Sequence, residues 1–460
     1  MRQEHDNAQQ AVNGILLERG IIPRSSHGRS QDQMLNSQSS TEQWLDGWST
    51  TAPTTYQGSE TLAFQRWFKF KEAFSPSLVR SIIESLPTRP TSILDCCAGS
   101  GTTGVVAQFM GIRPWLMEVN PFLADLTESK LANYSDFDIP REAAKVVKRF
   151  HDTSVSIGDI RDRLPPTFVE PGVNDRWIFD KLIVKRIERL RHAIEASKSP
   201  SIRRLFRVAL GGMLIGLSNV RVDGKGRRYR QNWQARHLDP DEVLPRFIDG
   251  VKHMVEDIYR YSTLSRPNTS VLRGDARQLL PLFDESIDAA IFSPPYPNSF
   301  DYTDIYNVEL WMLGYFGRSE DNAQLRLSTM RSHVQVAWEM PTSCTSGLLK
   351  KTLQQLHARR EELWDHRLPE MVHGYFEDLT GMLREIRRCL TPGGHVAIVV
   401  GDSSYAGVRI DSAKILAEAV GPLGFQIQSQ ESVRVMRASM QQRRGEKVLD
   451  EWLIRLRRSD

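Results

Sequence analysis

Hydrophobic and polar residues alternate differently in successive stretches of the chain. Residues 1–55 are rich in Gln, Ser, Thr and Asn and show no apolar period, so they predict a disordered N-terminal arm that buries too little surface to offset its ordering entropy. Apolar density rises at Leu62–Phe74 (LAFQRWFKFKEAF), and a helix is expected over Pro76–Leu86. A strand–turn–helix alternation then begins: strand Ser92–Cys96, glycine turn Gly99–Gly104, helix Thr103–Gly111, strand Pro114–Glu118 and helix Pro121–Tyr134. Such alternation predicts an α/β domain with a parallel sheet.

From about Ile139 to Tyr261 the spacing turns helical, with apolar residues at i, i+3, i+4 in Lys181–Ala196, Ile202–Leu217 and Glu242–Tyr261. Alternation resumes at Ser270–Arg273, Ile287–Phe292 and a helix near Thr303–Phe316. The end predicts helix Phe376–Leu390, strand His395–Val400, helix Asp411–Val420 and closing strands Phe425–Val433 and Val448–Leu456. The expected organisation is therefore a catalytic domain over 56–138 and 266–460. It is interrupted by a helical insertion at 139–265 and a second insertion at 318–372.

Composition narrows this only a little. With 40% hydrophobic and 25% charged residues the chain reads as a globular protein, and its net charge of +4 permits a polyanionic partner without requiring one. Apolar runs such as Val208–Leu217 fall short of the ~20 residues of a membrane span, and the first ten residues do not resemble a signal peptide, so the expectation is a cytoplasmic protein with no membrane partner. Cys96 and Cys97 are adjacent, and Cys344 and Cys389 stand alone. This spacing predicts reduced thiols and no metal site.

Gly99-Ser-Gly101-Thr102-Thr-Gly104 matches G-x-G-x-x-G between a strand and a helix, and Glu118 follows at the tip of the next strand. Glycines there let the backbone approach a ligand closely, and a carboxylate in that place accepts both ribose hydroxyls. The pattern implies an adenosine-containing cofactor, with NAD, FAD and S-adenosylmethionine all open. Asp95, just before the loop, suits a cationic group better than a pyrophosphate, which it would repel.

Ser293-Pro294-Pro295-Tyr296 directly follows the apolar strand Ile287–Phe292, at the carboxyl end where α/β sheets bind ligands. Two prolines fix φ and remove two N–H donors, so the loop offers acceptors. The Ser293 oxygen and the Pro294 carbonyl can take the two hydrogens of an exocyclic amine while Tyr296 stacks on a planar base. Held in this way, the amine turns its lone pair toward an incoming methyl group.

Basic residues crowd Arg203–Arg236, opposed in sequence only by Asp223. Within them, GKGRRYRQNW interleaves Lys225, Arg227, Arg228 and Arg230 with aromatic rings, and Arg221 lies just before. These five residues are candidates for phosphate and base contacts. A second basic cluster runs over Arg434–Arg444, weighed evenly between phosphate contact and surface charge.

With these residues in hand, the chain resembles the DNA amino-methyltransferases of bacterial restriction–modification systems over about Phe64–Asn133 and Ser270–Arg458. Asp95-Cys-Cys-Ala-Gly-Ser-Gly-Thr-Thr is similar to the family's first motif, usually D-P-F-x-G-x-G-T-T, with Cys96 and Cys97 in place of proline and an aromatic. The resemblance implies a Rossmann-like class I methyltransferase sheet of seven strands, the last antiparallel. It implies S-adenosylmethionine as cofactor, with Asp95, Cys97, Gly99, Gly101, Thr102, Glu118, Asp275 and Phe74 around it. Trp67, Phe74 and Pro76 resemble the segment behind the cofactor's amino-acid end. It further implies double-stranded DNA with a flipped target base, read by the helical insertion, and a cognate restriction endonuclease as a possible partner. S-P-P-Y leans toward cytosine N4 over adenine N6. An RNA base methyltransferase, an NAD-dependent oxidoreductase and a catalytically silent DNA-binding module are the alternatives.

Overall fold

The computed structural model describes residues 42–45, 54–223, 226–264, 266–278, 282, 284–336, 346–438 and 448–459. Most of the arm expected over 1–55 lies outside the described residues, as do Lys225, Cys344 and the basic cluster beyond Ala438.

Seven strands form one sheet: β1 (Ser92–Asp95), β2 (Arg113–Glu118), β3 (Ser270–Arg273), β4 (Ile287–Phe292), β5 (Leu390–Gly401), β6 (Phe425–Arg437) and β7 (Val448–Arg458). Their order across the sheet is β3-β2-β1-β4-β5-β7-β6. All neighbours from β3 to β5 pair in parallel, while β7 runs antiparallel to both β5 and β6. This is the Rossmann-like methyltransferase sheet the sequence led us to expect. β1 is buried at every position, as a central parallel strand covered on both faces must be.

Local signals explain the helices that flank it. Ser75 caps helix Pro76–Glu84 by accepting from Leu78 N at 3.2 Å. Asn120 caps helix Pro121–Leu131 through Phe122 N and Leu123 N at 3.0 and 3.3 Å, with proline in the first turn. One face of the sheet carries helices Leu368–Cys389 and Ser412–Val420. The other carries Pro76–Glu84, Thr102–Phe109 and Pro121–Leu131.

Residues 139–260 add helices Ile139–Asp152, Lys181–Glu195, Pro200–Leu214 and Val243–Arg260, which share one continuous apolar core with that second face. Gly211 allows the closest approach, since a Cβ there would stand 2.5 Å from the ring of Phe122. Asp257 pins the segment before the first strand to this layer, accepting from Phe64 N at 2.9 Å, Trp67 Nε1 at 2.8 Å and Arg66 Nη2 at 2.6 Å.

Three local expectations shift. The strand expected over His395–Val400 begins earlier, at Leu390, so that β5 takes in Pro392–Gly394. The helix near Thr303–Phe316 divides into Tyr302–Ile305 and Asn307–Met312. Within the stretch where helical spacing was expected, a two-stranded hairpin, Val220–Asp223 with Gly226–Tyr229, carries several of the basic residues. Within the second insertion lie helices Ser319–Leu327 and Gly347–Ala358. Among the described residues Cys96, Cys97 and Cys389 are free thiols, no group of side chains could hold a metal ion, and no helix is long and apolar enough to cross a membrane.

Candidate active site

The carboxyl ends of β1, β2 and β4 open into one cavity of about 320 Å³. Its walls include Asp95, Cys97, Gly99 and Thr102 from the first βα turn, Glu118 from β2, and Ser293, Pro294, Pro295 and Tyr296 from the loop after β4. Phe74 and Asp275 line it as well. The structure thus brings the two sequence motifs to a single space.

Gly99 and Glu118 are coupled directly. Gly99 has φ +52°, and its N–H donates to Glu118 Oε2 at 2.7 Å while Asn120 N donates to Oε1 at 2.8 Å. A Cβ on Gly99 would sit 2.8 Å from the Phe70 ring, so the loop and the aromatic segment close on each other only with glycine between them. Gly101 does not line the cavity. It turns the chain at φ +79° with Thr127 Oγ1 2.9 Å from where its Cβ would lie. Lys130, buried beneath the loop, holds it from behind by donating to Ser100 O at 2.7 Å.

Burial sets the electrostatics here. It pushes the Asp95 carboxyl up to about 6 and the Glu118 carboxyl up to about 7, against the hydrogen bonds that favour their ionised forms. A hydrogen bond with Cys96, together with burial, holds the Cys97 thiol well above its ordinary range. Asp275 is gripped by Arg277, whose Nη2 lies 2.5 Å from its carboxylate.

At the other end of the cavity, Ser293 Oγ donates to Val399 O on β5 at 3.0 Å. A hydroxyl has one proton, so this bond leaves its oxygen as an acceptor. Tyr296 donates its hydroxyl proton to Glu451 Oε1 at 2.6 Å, and Gly401 makes room for its ring, a Cβ there falling 2.7 Å from Cδ2. Burial and the Glu451 carboxylate raise the tyrosine well above its usual range, so it remains protonated.

The basic residues separate into two groups. Arg221 and Arg228 are exposed on the hairpin, Arg221 beside Asp223 at 2.9 Å. Arg227 turns inward to Asp304, 3.2 Å away on the helix after the Ser293–Tyr296 loop, and Lys71 donates to Val222 O at 2.6 Å. Arg230 is consumed by the carbonyls of Ile215 and Ser218. The apparent lack of opposing charge is corrected by distant elements, since Arg204 meets Asp125 and Glu128, and Arg207 meets Glu195 and Asp125.

Along 402 residues, covering 81% of each chain, the sequence is 26% identical to the type II methyltransferase M.AvaI of Nostoc sp. and of Anabaena variabilis. It is 25% identical over 427 residues to the type II methyltransferase M.BsoBI of Geobacillus stearothermophilus, covering 81% of this chain and 80% of that one.

The chain is similar to type II methyltransferases.

No family model matches it. Solved structures that match include an S-adenosylmethionine-dependent methyltransferase of Methanosarcina mazei (TM-score 0.28, 10% identity, covering 82% of this chain and 97% of that one). The rRNA methyltransferase aviRa of Streptomyces viridochromogenes is another (TM-score 0.26, 9% identity, 94% and 96% covered). At those scores the fold assignment rests on the strand order of the sheet itself.

Sequence reasoning missed several cavity residues of this methyltransferase-like chain. Glu72, Tyr302, His333 and Glu451 all line the cavity. Burial raises Glu72 and lowers His333, which favours the neutral form of each. Arg434, from the cluster weighed evenly between phosphate contact and surface charge, lines the cavity too. Glu72 had a usable signal, an acid within the aromatic run that abuts the glycine loop. Glu451 had none, because only the antiparallel entry of β7 carries it there.

Proposed function

We propose that this protein is a site-specific DNA methyltransferase that transfers a methyl group from S-adenosylmethionine to an exocyclic base amine. Cytosine N4 is favoured over adenine N6. The observation that carries this is the single cavity shared by the glycine loop and the Ser293–Tyr296 loop.

The residues present fit the cofactor. Glu118 would accept from ribose hydroxyls, the left-handed turn at Gly99 would let backbone lie against the ligand, and the Asp95 carboxyl on the same cavity wall would favour a positive charge there. A dinucleotide fits less well, because Asp95 would oppose its pyrophosphate. When bound, the cofactor supplies an electrophilic methyl group.

The chain's own contribution is placement. Ser293 Oγ, its proton engaged with Val399, and the Pro294 carbonyl accept the two amine hydrogens, which directs the lone pair of the amine nitrogen. As the bond forms, the same acceptors stabilise the positive charge that develops on that nitrogen, which is discharged when one of the two amine protons is lost to solvent. Tyr296, locked by Glu451, offers its ring face to the base. Because a stacked amine cannot reach this pocket, the target base is flipped out of a duplex. Arg221 and Arg228 of the hairpin, with Lys225 beyond the described residues, carry the phosphate contacts, and Arg227 and Arg230 hold the hairpin in place.

The helical layer at 139–265 serves as the target-recognition region of the catalytic domain. An associated restriction endonuclease and a cytoplasmic location complete the proposal. Tritium transfer from labelled S-adenosylmethionine tests it. Label is expected in DNA and not in total RNA. Ser293→Ala should lower the single-turnover rate by roughly 10²-fold with cofactor affinity within about twofold. Label in RNA alone would replace the substrate, and an unaltered Ser293→Ala rate would remove the amine chemistry.

A further inference from the structure

Facing the catalytic loop, strands β6 and β7 contribute Arg434 and Glu451 to the cavity wall. Glu451 is almost fully buried and accepts from Tyr296 on one side. On the other side Arg434 Nε donates to Oε2 at 2.8 Å and Nη2 to Oε1 at 3.1 Å. This side-on pairing fixes the plane of the guanidinium. It leaves Nη1 and the second Nη2 hydrogen as a two-pronged donor without a partner among the described residues. A hydrogen-bonded chain therefore leads from the catalytic tyrosine to a fixed fork of donors in the same cavity, beginning 3.4 Å from Ser293 Oγ.

We infer that Arg434 reads the Watson–Crick edge of the flipped base, donating to ring N3 and O2 of cytosine, and is the residue that selects cytosine over adenine. The inference deepens the amine-methylation proposal and rests on it. Cytosine presents a row of amine donor, ring-nitrogen acceptor and carbonyl acceptor. Guanine satisfies that row with one acceptor, O6, and two neighbouring N–H donors. The pocket offers the same complement: acceptors at Ser293 and Pro294, then the two donors of the guanidinium. A planar fork of this kind suits bidentate recognition, whereas an ammonium acts as a point charge.

Adenine shares the amine and the adjacent ring nitrogen but has C2–H where cytosine has O2, so the second donor would lose its water and gain no acceptor. Thymine is refused twice over, since it lacks the amine and its N3–H would face a donor. Glu451 is a positioning residue in this scheme. It orients the fork and offsets its charge without touching the base.

The test begins by locating the modified position in DNA from a methylation-free host that expresses the full chain. Duplexes are then made with either cytosine or adenine at that position. The wild type is expected to prefer cytosine by roughly a hundredfold in kcat/KM. Arg434→Lys, which keeps the charge and its pairing with Glu451 but loses the fork, should cut the preference below about tenfold. Arg434→Gln should do the same. The loss should fall on the cytosine duplex, with S-adenosylmethionine affinity and melting temperature held in the lysine variant. A preference unchanged in both variants overturns the inference, as does N6-methyladenine as the wild-type product, although amine methylation would then stand. A wild type that binds the cofactor and modifies neither amine would sink the underlying proposal instead.

Discussion

Glu118 and Asp95 show how single residues set the chemistry of the proposed cofactor site. Both are buried carboxyls whose pKa values are raised, Asp95 to about 6 and Glu118 to about 7. Ribose hydroxyls and a cationic ligand favour the ionised forms, so binding draws both values down and releases protons. Cofactor affinity should therefore rise as pH increases toward about 7 and level off above it. The stability of the ligand-free protein runs the other way: what these groups contribute while protonated is lost as pH rises through about 6 to 7. Calorimetry across this interval in buffers of different ionisation enthalpy measures affinity and proton release together. An affinity that is flat or falls with pH would contradict the assignment. The spacing of Gly99 and Glu118 was legible in the sequence because both sit on one βα turn and the next strand tip. The hydrogen bond that joins them follows from that geometry. The role of the Ser293 proton was not legible, since its acceptor, Val399, lies on a strand 106 residues away.

Among the elements, the basic hairpin Val220–Tyr229 best separates pattern from position. Read along the chain, its arginines look equivalent. In the fold, Arg221 and Arg228 face outward, Arg227 docks on Asp304, and Arg230 closes the end of the preceding helix through Ile215 O and Ser218 O. Replacing Arg221 and Arg228 together by Ala should weaken binding uniformly across DNA sequences. It should also reduce the salt dependence of log K by about two, with no change in melting temperature. Arg230→Ala should lower the melting temperature, because two carbonyls lose a charged donor. Fluorescence anisotropy across a salt series, with thermal unfolding of the same variants, distinguishes the two groups. The reverse pattern would mean that the hairpin faces away from the nucleic acid. Charge clusters mislead in sequence because the acids that neutralise them, Asp125, Glu128 and Glu195, sit on other helices.

For the molecule as a whole, the sheet order places distant segments in contact. The strand–helix alternation was readable from hydrophobic period, and so was the helical interruption between β2 and β3. The antiparallel run of β7 was expected only from family resemblance, and its place between β5 and β6 was not expected, for a closing strand carries no mark of its neighbours in its own residues. That pairing brings Glu451 to Tyr296 across 155 residues and gives the pocket its second wall. The joining of the Gly99–Glu118 turn and the Ser293–Tyr296 loop in one cavity is a property of this topology and of neither motif alone.

The most direct check of amine methylation in DNA is mass spectrometry of nucleosides from a methylation-free host expressing the full chain, beside the same host expressing Ser293→Ala. N4-methylcytosine is expected in the first DNA and little or none in the second. DNA without any amine-methylated base, from cells in which the folded protein binds S-adenosylmethionine, would contradict it.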